Sequence, residues 1–225
     1  MFGCIIDERI RAIHLKAETI DYVSKMCGSK YVQSNLGDSF REVKALLTSG
    51  KKVLFSGTPC QVAGLLAYLK NKPNNLIVVS LLCHGVPSPA VFEKYKQDIC
   101  DRYGGEIESF CFRKKSPSWR KSFISIVVVA TPYGRHEIAI PYPKSGYWRA
   151  ILSNLCLRQS CYNCSLQPPV HGIDVVLGDF WFAKKFVPEL DDDRGLSYVL
   201  ACSELGRRML VKLSQKNLEL RRLSF

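Results

Sequence analysis

The sequence lacks the features that would place it in a membrane, in a secretory pathway or on a nucleic acid. No apolar run among its 225 residues approaches the length that spans a bilayer; the longest, Leu76–Cys83 and Ile124–Ala130, have the length of a strand. Residues Met1–Asp7 lack the basic start and long apolar stretch of a signal peptide, so we expect a cytoplasmic protein. The short apolar runs therefore predict no membrane span. The basic residues are scattered and match no known nucleic-acid motif, so we expect no nucleic-acid partner.

Ten cysteines and a surplus of basic residues are the main compositional features. Disulfides are rare in a reducing compartment, so clustered cysteines there indicate metal binding or redox chemistry. The formal net charge of +12 indicates an acidic partner or cofactor, such as a phosphate-bearing coenzyme or an acidic electron carrier. Five cysteines fall within helix or strand patterns without a companion motif, and we expect them to be small buried apolar residues. These are Cys4, Cys27, Cys100, Cys111 and Cys202.

Hydrophobic periodicity predicts an α/β fold with a mixed, partly parallel sheet flanked by helices, and an antiparallel strand section in the second half. Strand patterns at 52–56 and 75–82 are each followed by a turn and a helix pattern, which is typical of a parallel sheet. The antiparallel section consists of segments 106–113, 122–130 and 136–140, the last two joined by a hairpin. With no internal repeat or low-complexity linker, we expect two parts, 1–104 and 105–225, that share a core.

Several helix boundaries and buried helix faces follow from local patterns. Ser39 and Glu42 have the spacing of a capping box at the start of a helix that ends at Gly50. Helical spacing predicts three further helices with buried faces. Those faces consist of Ile20, Val23 and Cys27; of Trp148, Ile151, Leu152 and Leu155; and of Leu205, Leu210 and Leu213.

A cysteine stands where the first of the two parallel strands turns into a helix. The strand runs through Gly57-Thr58-Pro59 into a helix pattern that begins at Cys60. Functional groups of parallel sheets lie at the carboxyl ends of the strands, and a helix N-terminus favours the thiolate over the thiol. This thiolate is a candidate nucleophile, redox group or metal ligand. If the two strands are neighbours, Cys83 at the end of the second lies at the same end of the sheet.

A Cys-x-x-Cys pair, Cys161 and Cys164, is the clearest ligand motif, because this spacing lets both thiolates face one metal centre. The pair alone is compatible with half a zinc site, a thioredoxin-type dithiol or part of an iron–sulfur site. The sequence has no second Cys-x-x-Cys for zinc, and a helix pattern before the pair with Pro168-Pro169 after it argues against a thioredoxin-type junction. Together with Cys60 and Cys83, the pair supplies the four thiolates that a cubane cluster needs.

Other polar residues near the strand ends have two interpretations each. His84 is a candidate metal ligand or acid–base group, or it orients its loop; with Cys60 as nucleophile it would be the base. Asp179 is a candidate cofactor contact or a turn former. Arg113 and Arg158 either hold an anionic cofactor or pair with surface carboxylates. Phe180 and Trp181 are expected in the core, and no catalytic residue is assigned.

Five short segments follow one another in a recognisable order. They are Ser29–Ser34 (SKYVQS), Phe55–Leu65 (FSGTPCQVAGL), Cys83–Pro89 (CHGVPSP), Arg158–Cys164 (RQSCYNC) and Gly178–Trp181 (GDFW). In this order, which spans roughly residues 20–205, they resemble the beta subunits of coenzyme F-420 (F420) hydrogenase and dehydrogenase.

The resemblance implies an iron–sulfur flavoprotein that carries FAD and a 4Fe-4S cluster and exchanges electrons with a deazaflavin coenzyme such as F420 or a related carrier. The cluster ligands that it implies are Cys60, Cys83, Cys161 and Cys164. The cofactor-binding residues that it implies are Ser29, Lys30, Gly57, Thr58, Gln61, His84 and Asp179. Expected partners are other redox subunits or ferredoxin, and a small-molecule redox carrier.

The chain departs from the family pattern at a few positions. Lys114 stands where the family has an acidic residue, and Ser118 and Phe182 stand where it has glycines. A ferredoxin-like segment, which often precedes residues 1–15 in the family, is expected to be missing here. Two alternatives therefore stay open: a non-catalytic metal- or cluster-binding interaction module that works beside a partner chain, and a truncated inactive copy.

Overall fold

A computed structural model describes residues 1–115, 118–120, 123–166, 171–216 and 219–221. The predicted strand start at Ser122 and the prolines Pro168 and Pro169 lie outside these ranges. The described residues form nine strands: β1 Phe2–Ile6, β2 Ala12–Lys16, β3 Val53–Gly57, β4 Leu76–Leu81, β5 Glu106–Lys114, β6 Ile124–Thr131, β7 Gly134–Pro141, β8 Val175–Asp179 and β9 Ser197–Ala201. They also form eight α-helices: α1 Ile20–Met26, α2 Ser39–Thr48, α3 Pro59–Leu69, α4 Pro89–Tyr103, α5 Gly146–Leu152, α6 Gln159–Tyr162, α7 Ala183–Phe186 and α8 Glu204–Ser214.

The main sheet has six strands in the order β2-β1-β3-β4-β8-β9. Strands β1, β3, β4 and β8 run parallel, whereas β2 and β9 pair antiparallel at the two edges. The predicted mixed, partly parallel sheet is therefore confirmed. Because β3, β4 and β8 are parallel neighbours, their carboxyl ends lie side by side at one end of the sheet.

A second sheet contains strands β5, β6 and β7, which pair antiparallel as predicted. The hairpin between β6 and β7 closes with Thr131 opposite Gly134. One core cluster lies between this sheet and helices α4 and α5, with Phe92, Phe112 and Trp148 nearly inaccessible to solvent. A separate cluster around Phe55 and Leu65 packs helices α2 and α3 on the main sheet.

Several predicted caps and buried faces are wrong. Helix α2 begins one residue after Asp38, so Ser39 lies inside its first turn and forms no capping box with Glu42. Helix α1 has no buried residue, and Ile20 is 76% exposed. Leu155 lies beyond the end of α5 and is 77% exposed. The other predicted core residues that are exposed are Leu152, Leu213, Cys27 and Cys111.

A buried carboxylate ties the main sheet to its surroundings. Asp174, which is 1% exposed, stands directly before β8. One of its oxygens accepts from the Lys72 ammonium at 2.6 Å and from the Val78 backbone N–H at 2.8 Å. The other accepts from the Ser203 hydroxyl at 2.6 Å. The carboxylate thus joins the approach to β4, strand β4 itself and the start of α8.

Among the described residues, no helix is both long enough and apolar enough to cross a membrane.

Candidate functional site

A cleft of about 1590 Å³ lies at the carboxyl ends of β3, β4 and β8. Its walls come from the turns that follow these three strands and from the segment between β2 and α2. Most of the residues predicted to bind a cofactor or metal line it. They are Ser29, Lys30, Gly57, Thr58, Cys60, Gln61, Cys83, His84 and Asp179.

The turn from β3 into α3 is held by a capping box between Thr58 and Gln61. The Thr58 backbone N–H donates to Gln61 Oε1 at 3.0 Å, and the Thr58 hydroxyl lies 3.1 Å from the same oxygen. A Cβ on Gly57 would lie only 3.1 Å from Gln61 Oε1, so glycine keeps the turn tight. Cys60 is exposed in the first turn of α3, and its sulfur lies 3.2 Å from the Thr58 hydroxyl.

A chain of hydrogen bonds continues from this turn to a buried histidine. Gln61 Nε2 donates to Ser34 Oγ at 2.8 Å, and Ser34 Oγ lies 2.9 Å from His14 Nδ1. His14 Nε2 lies 3.0 Å from the Ser56 carbonyl oxygen, which only accepts, so His14 donates from Nε2 and accepts at Nδ1. Burial lowers the pKa of His14, and the bond to Ser56 offsets this in part. His14 is therefore neutral in the folded protein near pH 7.

Acidification below pH 6.5 is expected to destabilise the fold through His14. Its pKa is about 6.5 in an unfolded chain and lower in the fold, so the unfolded state takes up the proton first. The stabilisation is present above about pH 6.5 and is lost as pH falls from 6.5 through the lower pKa of the folded state. Urea unfolding of the wild type, of His14→Gln and of the exposed-site control His136→Gln measures it. An equal pH dependence in the His14 variant would contradict this assignment.

The loop after β4 is joined to the segment that carries the Cys-x-x-Cys pair. Pro87 and Leu157 form a β-bridge, and the Arg158 backbone N–H donates to the Val86 carbonyl at 2.9 Å. Gly85 has a φ of +138°, and a Cβ there would lie 2.8 Å from Leu157 Cδ1 and 3.4 Å from Cys161 Cβ. Only glycine allows this close approach, which brings the Cys83 loop against α6.

The structure brings the four predicted cluster cysteines into one neighbourhood. Burial raises the pKa of the Cys83 thiol, and a hydrogen bond from the Gly85 backbone lowers it in part. Negative charge on three other sulfurs raises it further, and these belong to Cys60, Cys161 and Cys164. Across the described ranges, however, no three or more His, Cys, Asp or Glu side chains are arranged to hold one metal ion.

His84 takes part in a hydrogen-bonded chain that orients its loop. Its Nε2 lies 2.6 Å from Asn154 Oδ1, and the Asn154 carbonyl accepts from the Tyr162 hydroxyl at 2.5 Å. Asn154 itself has a φ of +57° and stands two residues after the end of helix α5. These contacts link the Cys83 loop to the Cys-x-x-Cys segment a second time.

Asp179, at the end of β8, is bound by a buried arginine. Arg113 Nη1 donates to Asp179 Oδ2 at 2.7 Å, and Lys115 Nζ lies 3.6 Å from the other oxygen. The guanidinium is enclosed by three aromatic rings, whose centroids lie at 4.5 Å (Phe123), 4.9 Å (Trp181) and 5.2 Å (Trp119). Its Nε is buried and has no hydrogen-bond partner among the residues that the structure describes. Arg113 is thus a buried ion-pair partner of Asp179, and within the described ranges it pairs with no other carboxylate.

The predictions for two residues that line the cleft need correction or refinement. Trp181 was expected in the core, yet it is 46% exposed and lines the cleft, because the chain turns outward after β8. Lys30 also lines the cleft, but its ammonium lies 2.7–3.1 Å from four backbone carbonyl oxygens at the end of α1 and donates its three N–H groups among them. In this conformation Lys30 fixes the loop that Ser29 belongs to.

Residues 50–224 match the family described as the C terminus of the coenzyme F420 hydrogenase/dehydrogenase beta subunit. The chain belongs to this family. The predicted resemblance is confirmed, and the beta-subunit family is one of oxidoreductase subunits. No curated protein matches the chain in a sequence search.

The fold of this beta-subunit family member is also found in a solved structure. A chain of the F420-reducing NiFe hydrogenase complex from Methanosarcina barkeri superposes with a TM-score of 0.56 at 16% sequence identity. The match covers 96% of the present chain and 67% of the other. At this identity the likeness concerns the fold alone.

Three parts of the site were not foreseen. His14 and Ser34 join the cleft wall only because β2 and the loop before α2 lie beside the β3–α3 turn. Lys115 reaches Asp179 from the end of a strand in the second sheet. For Ser34, membership of the SKYVQS motif was an available signal; for His14 and Lys115 the sequence carried none.

Proposed function

We propose that the chain is an iron–sulfur, FAD-dependent oxidoreductase subunit. It passes electrons between a 4Fe-4S cluster, a flavin and a soluble carrier such as F420 or ferredoxin. The observation that carries the proposal is the convergence of four cysteines from three separate segments beside one large cleft. Membership of the beta-subunit family supports the same assignment.

The cysteines fit the donor set of a 4Fe-4S cluster. Such a cluster takes four thiolates, and the neighbourhood of Cys83 contains the sulfurs of Cys60, Cys161 and Cys164. In a cubane each thiolate binds a different iron atom, so its ligands stand further apart than those around one ion. Burial raises the pKa of Cys83 most; negative charge on the other three sulfurs also raises it, and a cationic iron core relieves repulsion of this kind.

The cleft fits a large anionic cofactor. Its volume of about 1590 Å³ exceeds the ~300–1000 Å³ of common ligand pockets, which leaves room for a dinucleotide such as FAD. Lys115 and Arg158 line it, and within the described residues Arg158 makes no ion pair, so it is available to a phosphate. The other proposed contacts are Ser29, Lys30, Gly57, Thr58, Gln61, His84 and Asp179.

The residues around the cleft have separable tasks. When bound, the cluster and the flavin supply the electron-transfer chemistry, and the protein positions them. The Thr58–Gln61 capping box fixes the direction of Cys60, and the Gly85 contact fixes Cys83 against α6. The aromatic rings around Arg113 exclude water behind Asp179. Other redox subunits are the proposed partners, and the cytoplasmic location stays a prediction.

Metal analysis after anaerobic reconstitution tests the proposal. We expect about four iron and four sulfide per chain, with a paramagnetic resonance signal after reduction. FAD binding is read from flavin fluorescence in the same preparation. A colourless protein that contains zinc without iron or sulfide would contradict the proposal and favour an interaction module instead.

A further inference from the structure

We propose that the Thr58 hydroxyl donates a hydrogen bond to the Cys60 sulfur and thereby raises the reduction potential of the bound cluster. The inference rests on the proposed function, because it takes Cys60 to be a cluster ligand. It assigns to Thr58 the task of setting a potential, in addition to capping α3.

The geometry gives the Thr58 hydroxyl two acceptors for its one proton. Gln61 Oε1 lies 3.1 Å away and Cys60 Sγ 3.2 Å away. Gln61 Oε1 already accepts the Thr58 backbone N–H at 3.0 Å. A ligating cysteine carries negative charge, and hydrogen bonds to a charged acceptor are the stronger ones. Once Cys60 is a thiolate, the proton is therefore directed to its sulfur.

A hydrogen bond at its nitrogen fixes the orientation of the Gln61 side-chain amide, and with it the position of the acceptor oxygen. Its amide nitrogen donates to Ser34 Oγ at 2.8 Å, and Ser34 is bonded in turn to His14. Because His14 accepts at Nδ1, the Ser34 proton points toward His14, and Ser34 Oγ must accept from Gln61. The Gln61 amide therefore cannot turn its nitrogen toward Thr58, and the Thr58 side chain keeps its position beside Cys60.

The sulfur of Cys60 differs from those of the other three proposed ligands. Within the described part of the chain, no side chain donates a hydrogen bond to the sulfur of Cys83, Cys161 or Cys164. Cys60 also lies in the first turn of an 11-residue helix, whose partial positive charge acts in the same direction. Cys60 is thus the proposed ligand whose sulfur has a hydroxyl donor, whereas Cys83 has the Gly85 backbone as its donor.

Reduction of a cluster by one electron makes it one unit more negative. A donor to a ligand sulfur stabilises that added charge, so it favours the reduced form and raises the potential. In the experiment the electron comes from dithionite, added stepwise with redox mediators, and the reduced cluster is counted by its paramagnetic resonance signal.

The test compares Thr58→Val, which removes the hydroxyl at constant shape, with Thr58→Ser, which retains it. At a fixed potential we expect the reduced-to-oxidised ratio of Thr58→Val to fall by up to about tenfold, equivalent to about 59 mV for one electron. Thr58→Ser should match the wild type. Gln61→Leu should lower the melting temperature through loss of the capping box but should not lower the potential, because the proton then has only the sulfur as acceptor.

The outcomes separate this inference from the proposed function. A wild-type potential in Thr58→Val with its full iron content would overturn the inference alone. A lowered potential in Gln61→Leu would also overturn the inference. It would show that any disturbance of the β3–α3 turn lowers the reduction potential. A wild-type protein that binds no iron would overturn the proposed function, and this inference with it.

Discussion

Replacement of Cys83 by serine is expected to remove most of the iron that the anaerobically reconstituted protein binds. Cys83 is the thiol that lies within electrostatic reach of the other three, and its loop is fixed against α6 by Gly85. Serine retains the size of the side chain but loses the soft thiolate that iron prefers. Iron should fall from about four to below about one per chain.

The control is Cys202→Ser, which changes another partly buried cysteine at a distance from the cleft. Cys202 follows β9, and its sulfur lies 3.7 Å from the Leu200 carbonyl. Iron and sulfide should stay at wild-type levels in this variant. Circular dichroism and thermal unfolding of both proteins show whether each is folded. Full iron in a folded Cys83→Ser protein would exclude Cys83 as a ligand.

Replacement of Asp174 by alanine is expected to lower the free energy of unfolding by about 3–5 kcal/mol, the cost of breaking a buried ion pair by removing one partner. The carboxylate is 1% exposed and is bonded by Lys72, Val78 and Ser203. Alanine would leave an ammonium, a backbone N–H and a hydroxyl without their acceptor. Each of these unsatisfied donors would lower the free energy of unfolding.

Urea denaturation measures this loss, with Asp192→Ala as the matched control. Asp192 pairs with Arg194 on the surface, and exposed pairs of this kind contribute little to stability. A loss in Asp174→Ala that is no larger than in the control would show that the three donors find other acceptors.

The sequence predicted the site best where the decisive contacts are local. The course from β3 through Gly57-Thr58-Pro59 into α3 depends on neighbouring residues, and it is confirmed. The parallel pairing of β3 with β4 follows from two apolar strands separated by a helix, and it is also confirmed. That pairing is what sets Cys60 and Cys83 at one end of the sheet.

Contacts between distant segments could not be predicted. The burial of Asp174 depends on Lys72, more than a hundred positions away, and on Ser203 at the far edge of the sheet. The interaction of Arg113 with Asp179 crosses from the second sheet to the first. A single charged residue in a sequence carries no sign of such a partner.

Helical spacing misled the prediction where helices are short or lie at the surface. Helix α1 has 7 residues, and its apolar Ile20 stands at the first turn in solvent. The pattern that includes Leu155 continues past the end of α5 because the helix stops at Leu152. For Ser39, the neighbouring Asp38 occupies the N-cap position, so the helix starts one residue earlier than the motif implies.

The adjacency of β4 and β8 has a consequence for how the protein is made. The whole second sheet and helices α4, α5 and α6 are synthesised between these two strands. Until β8 leaves the ribosome, one edge of β4 stays unpaired, and such an edge is prone to association with other chains. Cys161 and Cys164 emerge shortly before β8. Pairing of β8 with β4, and the approach of Cys161 and Cys164 to Cys83, therefore come only after the whole second sheet has been synthesised.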